Sequence, residues 1–136
     1  RMVEMFLKEE EQEEERSLQH NIMLNKTILR NKKDFSRIYS KGKSIGDRYI
    51  VLFFKRNNLD YYRKAFLASK KVGNSVKRNR ARRLMKESVR LLEFDLPKGY
   101  DYIFIARNTI DGKSYSEVSR SIKSALKRSG TLNEKE

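Results

Sequence analysis

The sequence predicts an α+β fold in one compact domain, and three observations support this class. With 136 residues, the chain is long enough for a single hydrophobic core of modest size. From residue 31 onward, helix signals and strand signals alternate in the order helix, strands, helix, strand, helix. The chain has no cysteine, which excludes a disulfide framework, a thiolate zinc site and a cysteine nucleophile.

The first predicted element is a short helix after Asn31. Asn31 is a favourable N-cap residue, and Asp34 stands at the capping-box position. Gly42 is expected to end the helix. The apolar stripe of this helix consists of Phe35, Ile38 and Tyr39.

Three extended segments follow from the alternation of apolar side chains. Residues 47–56 and 63–69 are separated by a turn at residues 57–60, and we expect these two strands to pair as a hairpin. A Pro-Gly turn leads into a third strand at residues 100–107, which is apolar on both faces and should be central in the sheet.

The last predicted element is a helix that begins after Ser114. Ser114 and Glu117 have the spacing of a capping box, and Gly130 is expected to end the helix. The apolar residues recur at helical spacing, at Tyr115, Val118, Ile122, Ala125 and Leu126. Its basic side chains are interpreted as a solvated face rather than an RNA contact.

The segment at residues 69–90 is the most basic part of the chain, with nine Lys or Arg against the single acid Glu87. Its pattern predicts a helix from about Val76, with Arg78, Arg82 and Lys86 on a charged face. The opposite face, which should dock on the core, consists of Ala81, Leu84, Met85, Ser88 and Leu92. Because so many like charges destabilise an isolated helix, the pattern indicates a polyanionic partner.

The charge of the whole chain agrees with this interpretation. The formal net charge is +14 and the sequence pI is about 10.1, which favours nucleic acid or an anionic membrane surface as the partner. The longest apolar run, residues 49–54, is far shorter than the roughly 20 residues of a spanning helix. We therefore expect a soluble, cytoplasmic protein without a membrane partner.

The first 22 residues differ in composition from the rest. They hold seven glutamates against three basic residues, a net −4, which leaves +18 for residues 23–136. We expect an acidic extension that is disordered or not native, with Met23 as a possible natural start. An acidic arm that shields the basic helix in the absence of RNA is the alternative.

A family resemblance rests on residues 70–80, which read KKVGNSVKRNR and are followed by Arg82 and Arg83. This run closely resembles the Arg-Asn-Arg signature of the protein subunit of bacterial ribonuclease P. The flanks are in family order too, and the resemblance covers residues 29–128. The departures are small: Ala65 stands in place of the usual Gly, Leu67 in place of Ser, and Ser75 in place of Ala.

The resemblance implies a more specific fold than the residues alone do. It implies the order αβββαβα, a four-stranded sheet packed with helices, and a left-handed βαβ crossover, similar to the second domain of a ribosomal protein. The residues alone would predict the opposite hand, because about 98% of such crossovers are right-handed. The extra strand would come from splitting residues 44–56 at Gly46. The family domain would span residues 23–130, with 131–136 as a frayed tail.

The resemblance also implies a function. A catalytic RNA removes the 5′ leader of precursor tRNA with Mg²⁺ held mainly by RNA, and the protein is the non-catalytic accessory subunit of this endoribonuclease. Its partners would be the ribonuclease P RNA and the leader, with no role for DNA. The composition agrees, since the one histidine, His20, lies in the acidic extension and the carboxylates show no paired spacing. The alternatives are a ribosomal-protein-like RNA binder without a processing role and an independent metal-dependent nuclease.

The predicted site residues form two sets, and neither is catalytic. The set for binding the RNA subunit is Lys70, Lys71, Asn74, Arg78, Asn79, Arg80, Arg82, Arg83 and Lys86. The set for a leader-binding cleft, where the family's aromatic positions fall, is Phe35, Tyr39, Phe53, Arg48 and Lys55. For Phe35 and Phe53, core packing alone is the alternative, whereas the hydroxyl of Tyr39 favours an exposed edge.

Overall fold

A computed structural model describes residues 26–92 and 96–131, which form three helices and a four-stranded sheet. The predicted acidic extension, and all of the predicted tail except Thr131, lie outside the described residues. The elements, in chain order, are α1 (Lys32–Lys41), β1 (Lys43–Gly46), β2 (Ile50–Arg56), β3 (Arg63–Ala68), α2 (Ser75–Arg90), β4 (Tyr100–Ala106), a short 3₁₀ turn (Asn108–Ile110) and α3 (Tyr115–Ser129). This is the predicted α+β class with the order αβββαβα.

The strand order in the sheet is β1-β2-β4-β3, so β4 is central as predicted. The additional strand is β1, which ends at Gly46 and pairs antiparallel with β2. The predicted hairpin of the second and third strands is wrong, because β2 and β3 both pair with β4 and not with each other. Six of the seven residues of β4 are buried, and such an apolar strand gains more from a two-sided central position than from an edge.

The crossover from β3 to β4 is parallel and runs through α2. The outer edge of β3 is partly covered by the chain before α1, which forms a parallel bridge between Ile28 and Lys64. The backbone N–H of Leu29 donates to Lys64 O at 2.9 Å, and the Lys64 N–H donates to Thr27 O at 2.7 Å. This short segment protects part of an otherwise open edge.

The sheet separates two apolar layers, and the predicted alternation of its side chains decides which layer each residue joins. On one face, Phe66 and Phe104 stack at 5.3 Å between ring centroids and lie in the larger cluster with buried residues of α2 and α3. On the other face, α1 and Leu29 cover a smaller cluster. Its buried members are Leu29, Phe35, Ile38, Ala65, Leu67 and Ile103.

The predicted caps of α1 and α3 are largely confirmed. Asn31 Oδ1 accepts from the Lys33 N–H at 2.8 Å, and Ser114 forms a complete capping box with Glu117. The capping box expected at Asp34 is wrong, because that carboxylate forms ion pairs instead. Gly42 ends α1 where space is tight: a Cβ there would lie 2.5 Å from Ile38 O and 2.7 Å from Phe54 O.

The loop between β1 and β2 is fixed to α3 through Asp47. Its carboxylate accepts a hydrogen bond from Ser121 Oγ at 2.7 Å and pairs with Arg128, which also donates to Gly46 O at 2.8 Å. Burial raises the pKa of Asp47, but hydrogen bonds from Ser121, the Arg48 backbone N–H, Ser124 and Arg128 more than offset it, so the net pKa lies below its ordinary value. The charged form of Asp47 therefore anchors this loop.

Arg63 connects α1 to the sheet. Its Nε and Nη2 donate to the two carboxylate oxygens of Asp101 at 2.8 and 2.7 Å, and its Nη1 donates to Asp34 Oδ2 at 3.0 Å. Asn57 Nδ2 also donates to Asp101 Oδ1, at 2.9 Å. Because Asp101 is only 3% exposed, these donors replace the water contacts that its carboxylate loses on burial.

We expect Arg63→Ala to destabilise the protein by about 3 kcal/mol, because it leaves the buried carboxylate of Asp101 without its bidentate partner. Urea unfolding followed by circular dichroism measures this loss. The matched control is Arg37→Ala, which removes a half-exposed guanidinium from the same Asp34 and should cost about 0.5 kcal/mol or less. Equal losses in the two variants would contradict the assigned role of Arg63.

Candidate nucleic-acid interface

A glycine turn and an asparagine cap set the start of α2. Gly73 has φ +144°, and a Cβ there would lie 2.6 Å from Lys77 Cδ, so the turn requires glycine. Asn74 Oδ1 then accepts from the Lys77 N–H at 3.0 Å, which starts the helix. The predicted site residue Asn74 therefore has a structural role, and the turn presents Lys70 and Lys71 to solvent beside the first turn of the helix.

The buried face of α2 is rotated about the helix axis, relative to the predicted face, by less than the angle between successive residues. Ala81, Met85 and Ser88 are buried as predicted, but Leu84 and Leu92 are only half-buried and Val89 is fully buried. As a result Arg82, predicted on the charged face, is 6% exposed, and that prediction is wrong. Its guanidinium donates to Asn79 Oδ1, so its aliphatic stem is buried while a charged nitrogen keeps a polar partner.

Most of the remaining predicted RNA-subunit residues form one exposed surface. We call it the basic helix surface, and it consists of Lys70, Lys71, Asn79, Arg80, Arg83 and Lys86. Arg78 is half-buried at its border. Within residues 26–92 and 96–131, no carboxylate forms an ion pair with Lys70, Lys71, Arg83 or Lys86. These four cations are available to an external anion.

The N-terminal half of α2 is braced against the loop that precedes α3. Arg80 Nη2 donates to Lys113 O at 2.8 Å, and Lys77 Nζ pairs with Asp111 at 3.1 Å. These contacts hold the start of the basic helix surface in one position relative to the sheet. Farther along, the one acid of the helix, Glu87, pairs with Arg90. Hydrogen bonds and the charge of Arg90 lower the pKa of Glu87, so it remains charged beside its partner.

The second predicted set lies on the opposite face of the sheet, under α1. Phe35 and Tyr39 have ring centroids 6.3 Å apart, and Tyr39 meets Phe53 edge to face at 4.9 Å. Phe35 is 2% exposed and packs in the smaller core, as in the alternative stated for it. Tyr39 and Phe53 are half-buried with Ile105 at the border of that core. The hydroxyl oxygen of Tyr39 is buried, so the predicted exposed position of this hydroxyl is wrong. We call Tyr39, Phe53 and Ile105 the aromatic cleft.

The two cations predicted for this cleft lie at opposite ends of β2. Arg48 is exposed in the loop before Ile50, and its carbonyl oxygen accepts from Thr109 Oγ1 at 2.5 Å. Lys55 is half-buried near the other end of the strand, and its Nζ donates to Arg56 O at 3.2 Å. The three predicted aromatic residues therefore lie together, whereas the two predicted cations are separated by most of the length of β2.

The structure adds a cavity that the sequence did not predict. It is a half-open cavity of about 440 Å³ between the C-terminal ends of α1 and α3 and the end of β2. Its cationic lining residues are Lys41, Lys43, Lys55 and Arg56. The sequence signal for this cavity is weak. Lys41 and Lys43 are distant in sequence from Lys55 and Arg56, and the two pairs come together only because Gly42 allows the end of α1 to approach β2.

No metal-binding cluster of three or more His, Cys, Asp or Glu side chains exists in the part of the chain that the structure describes. The best-placed carboxylates, Asp34 and Asp101, are both bound to Arg63. The protein residues described therefore do not fit a Mg²⁺ site. None of the described helices is long and apolar enough to cross a membrane.

Comparison with known proteins places the chain among close relatives. A family model described as ribonuclease P matches residues 23–130. The ribonuclease P protein component of Caldanaerobacter subterraneus subsp. tengcongensis is 41% identical over 110 residues, which covers 81% of this chain and 95% of the relative. That of Clostridium botulinum strain Loch Maree is 42% identical over 106 residues, with 77% and 96% covered.

Solved structures agree with this result. The RNase P protein of Staphylococcus aureus aligns with a TM-score of 0.73 at 28% identity, over 79% of this chain and 99% of that protein. The RNase P protein from Thermotoga maritima aligns with a TM-score of 0.68 at 31% identity, over 74% and 94%.

Proposed function

This chain belongs to the ribonuclease P protein family, and from that premise we propose that it binds ribonuclease P RNA through the basic helix surface and the 5′ leader of precursor tRNA in the aromatic cleft. As a ribonuclease P protein component, it is part of a tRNA-processing endoribonuclease and a partner of the ribonuclease P RNA. The family match decides against the alternative of a ribosomal-protein-like binder without a processing role.

The first half of the proposal is supported by the availability of the cations on α2. Arg83 and Lys86 are exposed, and no described carboxylate competes for them. Guanidinium groups form paired hydrogen bonds with phosphate oxygens, and the braced start of α2 keeps several of them in fixed relative positions. Such contacts position an RNA backbone without reading its sequence.

The second half is carried by one observation, the edge-to-face contact of Tyr39 and Phe53 at a half-buried border. Half-buried rings at the border of a core keep part of their surface accessible, and we propose that this part stacks on a base of a single strand. Base–aromatic stacking is tolerant of sequence, which suits leaders that differ between precursors. Phe35 then supports Tyr39 from within the core.

The proposed division of labour assigns the chemistry to the RNA. No group of three or more described His, Cys, Asp or Glu side chains could hold a metal ion, and we propose that Mg²⁺ is held mainly by the RNA subunit. The protein residues would hold the RNA backbone and the leader in register and offset phosphate repulsion between the two RNAs. We place this activity in the cytoplasm, in line with a chain free of cysteine.

The proposed function predicts that cleavage requires both components at low Mg²⁺. A precursor tRNA with a 5′ extension is incubated with a bacterial ribonuclease P RNA alone, this protein alone, and the two together. We expect efficient cleavage at the mature 5′ end only in the mixture. Cleavage by the protein alone, or no effect of adding it, would contradict the proposal.

Arg83→Ala combined with Lys86→Ala should weaken binding to the RNA subunit and reduce the slope of log affinity against log salt by about one unit per lost phosphate contact. The control is Lys123→Ala combined with Lys127→Ala, which removes two exposed charges from α3. An equal change of slope in both double variants would show that only net charge matters and that the surface on α2 is not special.

Tyr39→Ala should reduce affinity of the holoenzyme for leader-bearing precursor by about 1 to 3 kcal/mol and leave the affinity for mature tRNA unchanged, because one stacking contact is lost. Tyr39→Phe keeps the ring and should retain most of the affinity. Fluorescence binding titrations measure both ligands. Equal losses for precursor and mature tRNA would assign Tyr39 to the core.

A further inference from the structure

The cavity at the end of β2 has the composition of an anion site. Four of its lining side chains are cationic, and no carboxylate lines it among the residues that the structure describes. Lys41 and Lys43 are exposed, and no carboxylate forms an ion pair with either of them among residues 26–92 and 96–131. The ends of α1 and α3 bring only partial negative charges, so the side chains determine the sign of the potential.

Arg56 in this cavity lies over an aromatic ring. Its guanidinium carbon lies 5.2 Å from the ring centroid of Tyr100, which is 8% exposed. A guanidinium held in this way loses little freedom when it binds a phosphate with two hydrogen bonds. The volume of about 440 Å³ falls within the ~300 to 1,000 Å³ of small-ligand pockets, so it exceeds what a bare phosphate needs.

The pairing of the strands shows that this cavity and the start of the basic helix surface lie at opposite ends of the sheet. Ile50, Ala106 and Ala68 are aligned at one end of the sheet, and the chain leaves Ala68 directly into the basic helix surface. Arg56 and Tyr100 are aligned at the opposite end, where the cavity lies. Ile50 and Arg56 are about 20 Å apart along β2.

Phe53 lies between these ends, and Lys55 is the next residue on the same face of β2. On α1, Lys41 follows Tyr39 by two residues at the end of the helix. A single strand that comes from the RNA-subunit end and crosses the aromatic cleft therefore meets Lys55 and Lys41 next. The cavity begins past the end of α1 and extends around the end of β2 to the opposite face of the sheet, where Phe54 and Tyr100 lie, so a strand that follows this path bends around the sheet end.

We infer that this cavity binds one phosphate-bearing nucleotide of the 5′ leader, farther from the cleavage site than the nucleotides in the aromatic cleft. The inference rests on the proposed function, because it extends the path of the leader across β2. Lys41, Lys43 and Arg56 hold the phosphate, and the rings of Phe54 and Tyr100 form the apolar wall beside the sugar and base.

The test measures how affinity depends on leader length in the reconstituted holoenzyme. Fluorescent precursors with a non-cleavable linkage at the processing site carry leaders lengthened one nucleotide at a time, from none to about ten. The variant is Lys41→Ala with Lys43→Ala, and the charge-matched control is Lys123→Ala with Lys127→Ala. Thermal unfolding of each protein shows that the fold is retained.

The wild-type protein should gain affinity as the leader grows, in an inner step from the aromatic cleft and an outer step from the cavity. The Lys41/Lys43 variant should keep the inner step and bind the longest leaders about tenfold more weakly, whereas the control keeps both steps. An outer step that persists in the variant, or that is lost equally in the control, overturns the inference while leaving leader binding intact.

Two further results separate the possible sources of the phosphate. If the variant loses affinity equally for leaderless tRNA or for the RNA subunit alone, the cavity binds a phosphate of one of those RNAs and the leader assignment is overturned. If the wild-type holoenzyme shows no dependence on leader length at all, the proposed leader binding fails, and the inference fails with it.

Discussion

Arg63 holds the first helix on the sheet, because its guanidinium bridges Asp34 of α1 and the buried Asp101 of β4. Asp34 lies near the start of α1, and Gly42 at its end touches the backbone of Phe54. These two contacts together fix how α1 crosses the sheet. The distance between Tyr39 and Phe53, and the position of Lys41 beside Lys55, both depend on that crossing. The aromatic cleft and the cavity therefore both depend on the ion-pair network of Arg63 and on the close approach at Gly42.

The two faces of the sheet differ in the size of the apolar layer that covers them. The larger apolar layer, under α2 and α3, contains most of the buried side chains and supports the basic helix surface from below. The smaller layer, under α1, leaves a border of half-buried aromatic rings. Exposed apolar rings are costly in water, so they are tolerated best where a ligand covers them. A protein with this arrangement can hold an RNA backbone at the sheet end where α2 begins and a single strand across the opposite face.

The helix α2 illustrates how burial and charge are reconciled in a very basic segment. Because the buried face of α2 includes Val89, Arg82 is buried as well. Its guanidinium donates a hydrogen bond to the side-chain oxygen of Asn79. Arg83 and Lys86 remain exposed without a carboxylate partner among the described residues. The charges that stay unneutralised are those on the outer face, where an RNA backbone can approach.

The sequence by itself determined the order of elements, the central β4, the caps at Asn31 and Ser114, and the basic character of α2, because these follow from local periodicity and turn chemistry. The family signature added the αβββαβα order and the expectation of a leader-binding cleft. The tertiary structure decided that β4 separates β2 from β3, that Phe35 and Arg82 are buried, and that two basic pairs meet beside Tyr100. Strand pairing, the rotation of a helix about its axis and the meeting of distant charges depend on contacts between elements, and local sequence patterns do not encode these contacts.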